Sequence, residues 1–218
     1  MNRFAVIGAG SFGRSVVKGL FDEDEEVIVV DMNEDAVQAC TDICRHAVVA
    51  DATDKKALEE LMIGDVDIAV VSLGERMDII TLVALHLKEL GVPYIAVKAI
   101  SDDHVKILKA IGISEVIQPE KEAALRLGKR LALHNVDDVI PLITGYAVVS
   151  MHANDKIVGR KIADLESKNI QVVAIQHPEQ TSPTLVPSDQ EIIESNDLLV
   201  LIGSNIEITD FSKNYCKD

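Results

Sequence analysis

The feature that most constrains this chain is the run VIGAGSFGRSVV at residues 6–17. Gly8, Gly10 and Gly13 form a G-x-G-x-x-G pattern that follows an apolar strand and opens a helix. The first glycine allows a tight turn, the second lets the backbone approach a phosphate, and the third lets the helix pack closely on the strand. The free N–H groups of the helix then point at that phosphate. The pattern therefore predicts a nucleotide-binding loop in an α/β sheet.

Acidic residues end two further predicted strands. EVIVVD ends at Asp31, which lies 21 residues after Gly10. A carboxylate there accepts hydrogen bonds from ribose hydroxyls and repels a 2′-phosphate, which favours NAD, ATP or ADP over NADP. Residues 51–53, Asp-Ala-Thr, follow the third strand, where contacts to adenine or its ribose are usual. Together with the loop, these residues predict an adenine nucleotide site.

Strand and helix signals alternate up to residue 134, and the predicted strands are near-continuous apolar runs. This pattern is typical of a doubly wound parallel sheet with helices on both faces, a Rossmann-like α/β fold. The predicted strands are 4–9, 26–31, 46–51, 67–73, 93–99 and EVIQP at 115–119. The predicted helices are 11–21, one from Asn33, one capped by Thr53 or Asp54, 77–90, 102–111 and 119–135.

The last of these helices has two open interpretations: it packs on its own domain, or it reaches a neighbouring subunit. After it the pattern changes to strands (YAVVSMHA, IQVVAIQHP and LLVLIG) joined by turn-rich segments. We therefore predict two domains, residues 1–134 and a small α+β module over residues 135–218.

The charge distribution excludes some classes of partner. The net charge is −15, with 15 basic and 23 acidic residues before position 135 and 6 and 13 from there on. Both parts repel phosphate backbones and anionic lipid, so we expect no binding of nucleic acid or of a membrane surface. No basic or apolar leader precedes the first strand, and no apolar run approaches the roughly 18–20 residues that span a bilayer. We expect a soluble protein without membrane insertion.

The cysteines are few and irregularly spaced. Cys40, Cys44 and Cys216 are an odd set, which argues against a disulfide framework and fits a reducing cytoplasm. Cys40, Cys44 and His46 do not have a common zinc-site spacing and lack a fourth ligand. We interpret them as the end of a helix near Cys44 and the start of a strand at His46.

The sequence carries no convincing catalytic motif. Tyr94 and Lys98 have the spacing of a dehydrogenase Tyr/Lys pair, but that pair needs a helix, and YIAVK reads as a strand. The ordinary interpretation is a core tyrosine and a lysine at the strand end. The histidines are scattered, and neither a phosphate-loop G-K-[ST] nor a G-x-S-x-G occurs. We therefore predict that the nucleotide is a ligand and that the chain is not an enzyme.

The order of motifs along the whole chain resembles that of a known family. GAGSFGRS with VVDMNED, VVADATDKKALEELMIGDVDIAVVSLGE, LKELGVPYIAVKA and IGISEVIQPEKEAA follow the order of the regulator-of-K⁺-conductance (RCK, TrkA-N) module. GYAVVSMHANDKIVGRKIADL and EIIESNDLLVLIGSNIEITDF resemble its C-terminal (TrkA-C) module. The resemblance is strongest to the nucleotide-binding subunits of Ktr/Trk-type potassium uptake systems.

The resemblance implies a non-catalytic cytoplasmic subunit that gates a membrane potassium channel or transporter. Such subunits form homodimers, usually four to an octameric ring, held at the inner face of the membrane by an integral potassium-translocating partner. They bind ATP or ADP, in some members NAD or NADH, and in some a divalent cation (Mg²⁺ or Ca²⁺) near a glutamate. Of the two interpretations of the helix that starts at Pro119, the resemblance favours docking on a neighbouring subunit.

The candidate cofactor-binding residues combine the loop motif with this resemblance. They are Gly8, Gly10, Ser11, Phe12, Gly13, Arg14, Asp31, Met32, Asp51, Ala52, Thr53, Lys98 and Glu120. Lys98 matches a lysine at the site edge, and Glu120 matches the glutamate that helps bind the divalent cation. No catalytic residue is predicted.

Two departures from the family leave questions open. ATP-sensing relatives often carry arginine where this chain has Ser11, so whether Arg14 replaces it, and hence which nucleotide activates, is open. DLESKNIQVVAI is shorter than the region that binds cyclic di-AMP in some relatives, so that ligand is not carried over. The alternatives are an NAD-dependent oxidoreductase with an atypical substrate domain and a free-standing nucleotide-sensing regulator. A DNA-binding repressor is disfavoured by the charge.

Overall fold

The computed structural model describes residues 2–133, 135–165 and 167–216. The chain divides into two compact units, residues 1–119 and 120–218. The sequence-based boundary lies after residue 134, so the difference concerns one helix, Pro119–Ala132, most of which groups with the second unit.

The first unit is built on a six-stranded parallel sheet. Its order, β3-β2-β1-β4-β5-β6, is that of a doubly wound fold with its switch point between β1 and β4. The parallel α/β prediction is therefore confirmed. The strands are β1 Arg3–Ile7, β2 Glu26–Asp31, β3 His46–Val49, β4 Ile68–Val71, β5 Tyr94–Lys98 and β6 Glu115–Ile117.

Five helices connect these strands and cover both faces of the sheet. Side chains of Asn33, Asp54 and Ser101 cap the starts of α2, α3 and α5 by accepting backbone N–H bonds. Of the two predicted caps of α3, Asp54 is the one used. The helices are α1 Ser11–Asp22, α2 Glu34–Gln38, α3 Lys55–Glu60, α4 Met77–Glu89 and α5 Asp102–Ala110, with a short 3₁₀ turn at Ile63–Asp65.

Alternate side chains of the strands enter two separate apolar layers. Ala5 and Ile7 of β1 point into one layer together with Leu87 of α4, whereas Phe4 and Val6 point into the other. Period-two alternation sends successive side chains to opposite faces, so a strand buried on both sides must be apolar throughout. This explains the uninterrupted apolar runs of the first unit.

The second unit contains a five-stranded antiparallel sheet in the order β10-β9-β11-β8-β7. Its core includes Val149, Met151, Ile175 and Leu199. The α+β prediction is confirmed here, although β7, β10 and α7 were not predicted. Its elements are α6 Pro119–Ala132, β7 Asp138–Pro141, β8 Tyr146–His152, a 3₁₀ turn Ile162–Asp164, β9 Ile170–Gln176, β10 Thr184–Leu185, β11 Leu198–Ser204, α7 Asn205–Phe211 and a π-helical segment Ser212–Cys216.

Among the described residues, no helix has the length and apolar character needed to cross a lipid bilayer.

Candidate nucleotide-binding site

The glycine-rich loop joins β1 to α1 at the edge of the sheet where the parallel strands end. Both neighbours of β1 end at the same level, since Ile7 pairs with Val30 of β2 and with Val71 of β4. In open parallel sheets this crevice, next to the switch point, is where ligands bind. The fold thus brings the loop, the end of β2 and the end of β4 together.

The three glycines of the loop have different surroundings. Gly8 has a φ of +103°, and a Cβ there would lie 2.1 Å from the Ser72 carbonyl oxygen. A Cβ on Gly13 would lie 1.9 Å from the Gly8 carbonyl oxygen. Gly10, in contrast, has nothing within 4 Å of its Cβ position and is exposed. Two glycines therefore close the turn, and the third leaves the backbone open to a ligand.

The N-terminus of α1 is electrostatically suited to an anion. Gly10 is the N-cap, so no side chain caps the helix, and no acidic residue occurs in its first turn. The backbone N–H groups of that turn have no intrahelical acceptor and carry the positive end of the helix dipole. Ser11, the first residue of α1, is exposed and Phe12 is half-buried.

Asp31 links the end of β2 to the glycine loop. Its Oδ2 accepts the Ala9 N–H at 2.6 Å, and its Oδ1 accepts the Asn33 N–H at 2.8 Å. Each carboxylate oxygen has two lone pairs, so each can still accept a further donor such as a ribose hydroxyl. The carboxylate is half-buried, and Met32 beside it is 67% exposed. Asp31 therefore positions the loop and faces the same crevice.

Residues 51–53 form a second acidic turn two residues after the end of β3. Asp51 Oδ1 accepts both the N–H of Thr53, at 2.8 Å, and its hydroxyl, at 2.7 Å. These hydrogen bonds lower the pKa of the Asp51 carboxyl. Ala52 is buried in the sheet's core. Since Asp31 pairs with Val49, the turn lies at the same edge as Asp31.

Lys98, at the end of β5, reaches the first turn of α1. Its ammonium lies 5.8 Å from the centroid of the Phe12 ring, within the range of a cation–π contact. β5 is the strand next to β4, so Lys98 brings a positive charge to the far side of the switch point. This places Lys98 at the border of the glycine loop.

Arg14 lies on the other flank of α1. Burial raises the pKa of the Cys40 thiol, and the Arg14 charge partly opposes this effect. Asp31 also acts on this thiol, by raising its pKa. Arg14 is thus near the Cys40 and Asp31 side of the loop, whereas Lys98 is near Phe12.

Glu120 and Tyr94 are the remaining residues that the sequence analysis singled out. Glu120 is exposed in the first turn of α6 and belongs to the second unit. The 94–98 segment is a strand, as predicted, so Tyr94 and Lys98 lie at opposite ends of it. Tyr94 is 41% exposed, and its hydroxyl donates to Glu115 Oε2 at 2.7 Å, so the expectation of a core tyrosine was wrong.

The cysteine segment is also resolved. α2 ends at Gln38, earlier than expected, and β3 begins at His46 as predicted. Cys40 is buried, Cys44 is half-buried, and both are free thiols. Within the described ranges, the group of metal-ligating side chains found does not include them. Cys216 lies in the final described turn and His134 lies outside the described residues.

Sequence reasoning missed two features. The first is the segment after β4, residues 72–74, which lies directly beside Gly8. Gly74 in this segment has a φ of +34°, and a glycine shortly after an apolar strand was the sequence signal for such a turn. The histidines are scattered along the sequence, but His104 is fully buried in the fold and His177 contacts two carboxylates. Only the tertiary fold brings those partners together.

The strand order and the glycine loop define a Rossmann-type protein. Comparison of sequences then gives the family. The profile of the TrkA-N domain matches residues 4–119, and that of the TrkA-C domain matches residues 146–214. The chain belongs to the family of TrkA-N and TrkA-C domain proteins, which confirms the resemblance.

Full-length relatives support the same assignment. The Ktr system potassium uptake protein C of Bacillus subtilis is 37% identical over 213 residues, covering 96% of both chains. Protein A of the same system and organism is 36% identical over 212 residues, covering 96% of this chain and 95% of the relative. Both are named for potassium uptake and not for a catalysed reaction, which agrees with the prediction that the chain is not an enzyme.

Solved structures share the fold at lower identity. The GsuK channel bound to NAD has a TM-score of 0.54 and 20% identity, over 99% of this chain and 38% of the channel chain. GsuK bound to ADP has a TM-score of 0.53 and 18% identity, over 59% and 34% of the two chains. At such identities the likeness shows the fold alone.

Proposed function

We propose that this chain is a cytoplasmic regulatory subunit that binds an adenine nucleotide and thereby gates a membrane potassium-translocating partner. The observation that carries the proposal is the Ala9–Asp31 hydrogen bond, which holds the open N-terminus of α1 beside a carboxylate suited to ribose. The potassium uptake relatives supply the physiological context, and the nucleotide-bound GsuK structures share the fold.

The ligand is an adenine nucleotide with a free 2′-hydroxyl. ATP, ADP, NAD and NADH share this adenosine half, whereas NADP adds a dianionic phosphate beside the Asp31 carboxylate. Lys98 and the N-terminus of α1 supply positive potential for the phosphates. The ribose would lie beside Asp31, on the side of the loop where Arg14 is found. A divalent cation at Glu120, Mg²⁺ or Ca²⁺, would belong to the assembled form.

Gating requires that the nucleotide bind one assembly state better than another, because a ligand shifts an equilibrium only by its differential affinity.

Helix α6 is the element suited to assembly. It has no buried residue, and Leu125, Leu127 and Leu131 are 59%, 47% and 70% exposed. We propose that these leucines dock on a neighbouring subunit in a homodimer, and that dimers associate into an octameric ring.

A thermal-shift panel tests the ligand class. We expect ATP, ADP, NAD and NADH to raise the unfolding midpoint, since a ligand at 100 times its dissociation constant adds about 2.7 kcal/mol to stability. NADP should give a smaller shift than NAD. Equal shifts with NAD and NADP would contradict the Asp31 assignment, and sustained oxidation of NADH with a small substrate would favour the oxidoreductase alternative.

A further inference from the structure

The second unit contains a histidine–carboxylate cluster of its own. β9 ends at Gln176 and β11 begins at Leu198, and these two residues are paired across the sheet. His177 and Asp197, the next residues outward, therefore face each other. His177 Nδ1 lies 2.7 Å from Asp197 Oδ1.

Asp197 is fully buried, and it organises the turn before β11. Its Oδ2 accepts the Glu194 N–H at 2.7 Å, and Asn196 takes a left-handed conformation with φ of 66°. This turn brings the Glu194 carboxylate to the same place. One ligand atom each from His177, Glu194 and Asp197 lies within 4.8 Å of the others.

A third carboxylate contacts the other ring nitrogen. His177 Nε2 lies 3.3 Å from Glu191 Oε1, so the imidazole is held between Asp197 and Glu191. Three acidic residues thus surround one imidazole. Among the described residues, no lysine or arginine pairs with any of these three acids, and the ion pairs found for Glu191 and Asp197 are with His177. Even a protonated imidazole leaves this cluster with net negative charge, which favours a cation.

We propose that His177, Glu194 and Asp197 bind a divalent transition-metal ion of the Zn²⁺ type. Nδ1 of His177 and one oxygen from each carboxylate would be the ligands, and Glu191 would accept the Nε2–H. A metal-binding histidine commonly donates its other N–H to a carboxylate, which fixes the ring and its tautomer. Glu191 is already in that position.

The donor set argues for zinc over magnesium or calcium. Mg²⁺ and Ca²⁺ prefer ligand shells made of oxygen alone, whereas imidazole suits Zn²⁺ and its neighbours. In a four-coordinate tetrahedral site the ligand atoms of one Zn²⁺ lie about 3.3–3.6 Å apart, given bonds of roughly 2.0–2.2 Å. The spacings of up to 4.8 Å in the cluster must therefore close by up to about 1.5 Å, which rotation of the exposed Glu194 side chain can provide. The 2.7 Å hydrogen bond between His177 Nδ1 and Asp197 Oδ1 would open as the metal replaces its proton. Three protein ligands leave a fourth position for water.

Co²⁺ titration of the purified, tag-free full-length protein without nucleotide tests this site directly. We expect one Co²⁺ per chain with the visible absorption of a low-coordinate ion, displaced by one equivalent of Zn²⁺. His177→Gln and Glu194→Gln should each weaken binding at least about tenfold. His152→Gln and Cys44→Ser, which alter a histidine and a thiol outside the cluster, should bind as the wild type does.

Glu194→Gln also separates loss of metal binding from loss of folding. Because the Glu194 side chain is exposed, this variant should unfold at the same midpoint as the wild type when a chelator is present. Zn²⁺ should raise the midpoint of the wild type and of the His152→Gln control, but not that of Glu194→Gln. The proposal fails if no stoichiometric binding is seen, or if His177→Gln and Glu194→Gln retain wild-type affinity. Either result would leave the nucleotide proposal untouched, because no nucleotide is present.

Discussion

At the scale of single residues, the glycine-rich loop depends on positions where a side chain cannot be placed. Gly8 and Gly13 are excluded from carrying a Cβ by backbone carbonyl oxygens, which cannot move aside as a flexible side chain can. Gly10 has open space around it, so its lack of a side chain matters for an incoming ligand. The same motif therefore closes the turn at two positions and leaves the backbone open at the third.

This difference predicts opposite effects of alanine in one helix. Gly13→Ala should lower the free energy of unfolding by at least about 1–3 kcal/mol, because the new Cβ overlaps the Gly8 carbonyl. Gly19→Ala, also in α1 but with open space, should raise it by about 0.5–1 kcal/mol through reduced backbone entropy in the unfolded chain. Urea unfolding of both variants measures this; similar midpoints for the two would contradict the packing account.

His104 shows a different residue-scale constraint, burial of a titratable ring. Its Nδ1 accepts the Ile100 N–H at 3.4 Å, and its Nε2 lies 3.4 Å from Thr81 Oγ1. The Thr81 hydroxyl donates to the Met77 carbonyl, so the network assigns the proton to Nε2 of a neutral ring. Burial lowers the pKa of His104.

A lowered histidine pKa makes stability depend on pH with a definite sign. In the unfolded chain the His104 imidazole has an ordinary pKa of about 6.5, whereas in the folded chain its pKa is lower. As pH falls through about 6.5 the unfolded chain therefore binds a proton that the folded chain does not bind, and stability is lost. We expect the wild type to lose more stability than His104→Gln between about pH 7.5 and pH 5.5, by up to about 1.4 kcal/mol per pH unit. His152→Gln, at an exposed histidine, is the control and should keep the wild-type slope.

At the scale of elements, the first unit was largely predictable because strands buried on both faces are long apolar runs. β2 runs from Glu26 to Asp31 as predicted, and α1 and α4 begin at Ser11 and Met77 as predicted. Strand ends were overestimated, as for β4, which was expected to end at residue 73 and ends at Val71. The Ser72 N–H still bonds to the Ile7 carbonyl, and Leu73 continues the apolar pattern after the strand has ended. The site elements could be anticipated since glycine spacing and strand-terminal acids are local signals.

The second unit was less predictable for a physical reason. β10 has only two residues, and β7 is an edge strand that ends at Pro141, so neither gives a periodic signal. α7 has seven residues and depends on the Ser204 cap and on packing of Ile208 and Phe211. The His177 cluster needs the β9–β11 register, which no local pattern specifies.

Helix α6 carries the element-scale prediction. Leu127→Glu combined with Leu131→Glu should leave the thermal midpoint of the isolated chain nearly unchanged, because neither side chain is buried, but should reduce the assembled mass. Light scattering coupled to size exclusion measures the mass. Met62→Glu, at a residue that is 66% exposed in the first unit, is the matched control. Loss of assembly in both variants, or in neither, would count against α6 as the docking element.

At the scale of the whole molecule, the chain combines two modules of different architecture. The first contains the glycine-rich loop at the edge of a parallel sheet, and the second contains an antiparallel sheet with the His177 cluster. With a net charge of −15, the protein suits a partner that offers basic cytoplasmic loops. We expect the purified wild type to have a mass well above a dimer, near an octamer; a clean monomer at micromolar concentration would contradict the ring.

The most direct test of the central claim is calorimetric titration of the wild type, Asp31→Ala and Asp42→Ala with ATP, ADP and NAD. Asp42 is an exposed acid after α2, and its replacement controls for the change in net charge. Loss of the ribose contacts should cost about 1–3 kcal/mol, which weakens binding roughly 5- to 150-fold in Asp31→Ala alone. Equal affinities in all three proteins, or no binding by the wild type, would contradict the assignment of this loop as an adenine nucleotide sensor.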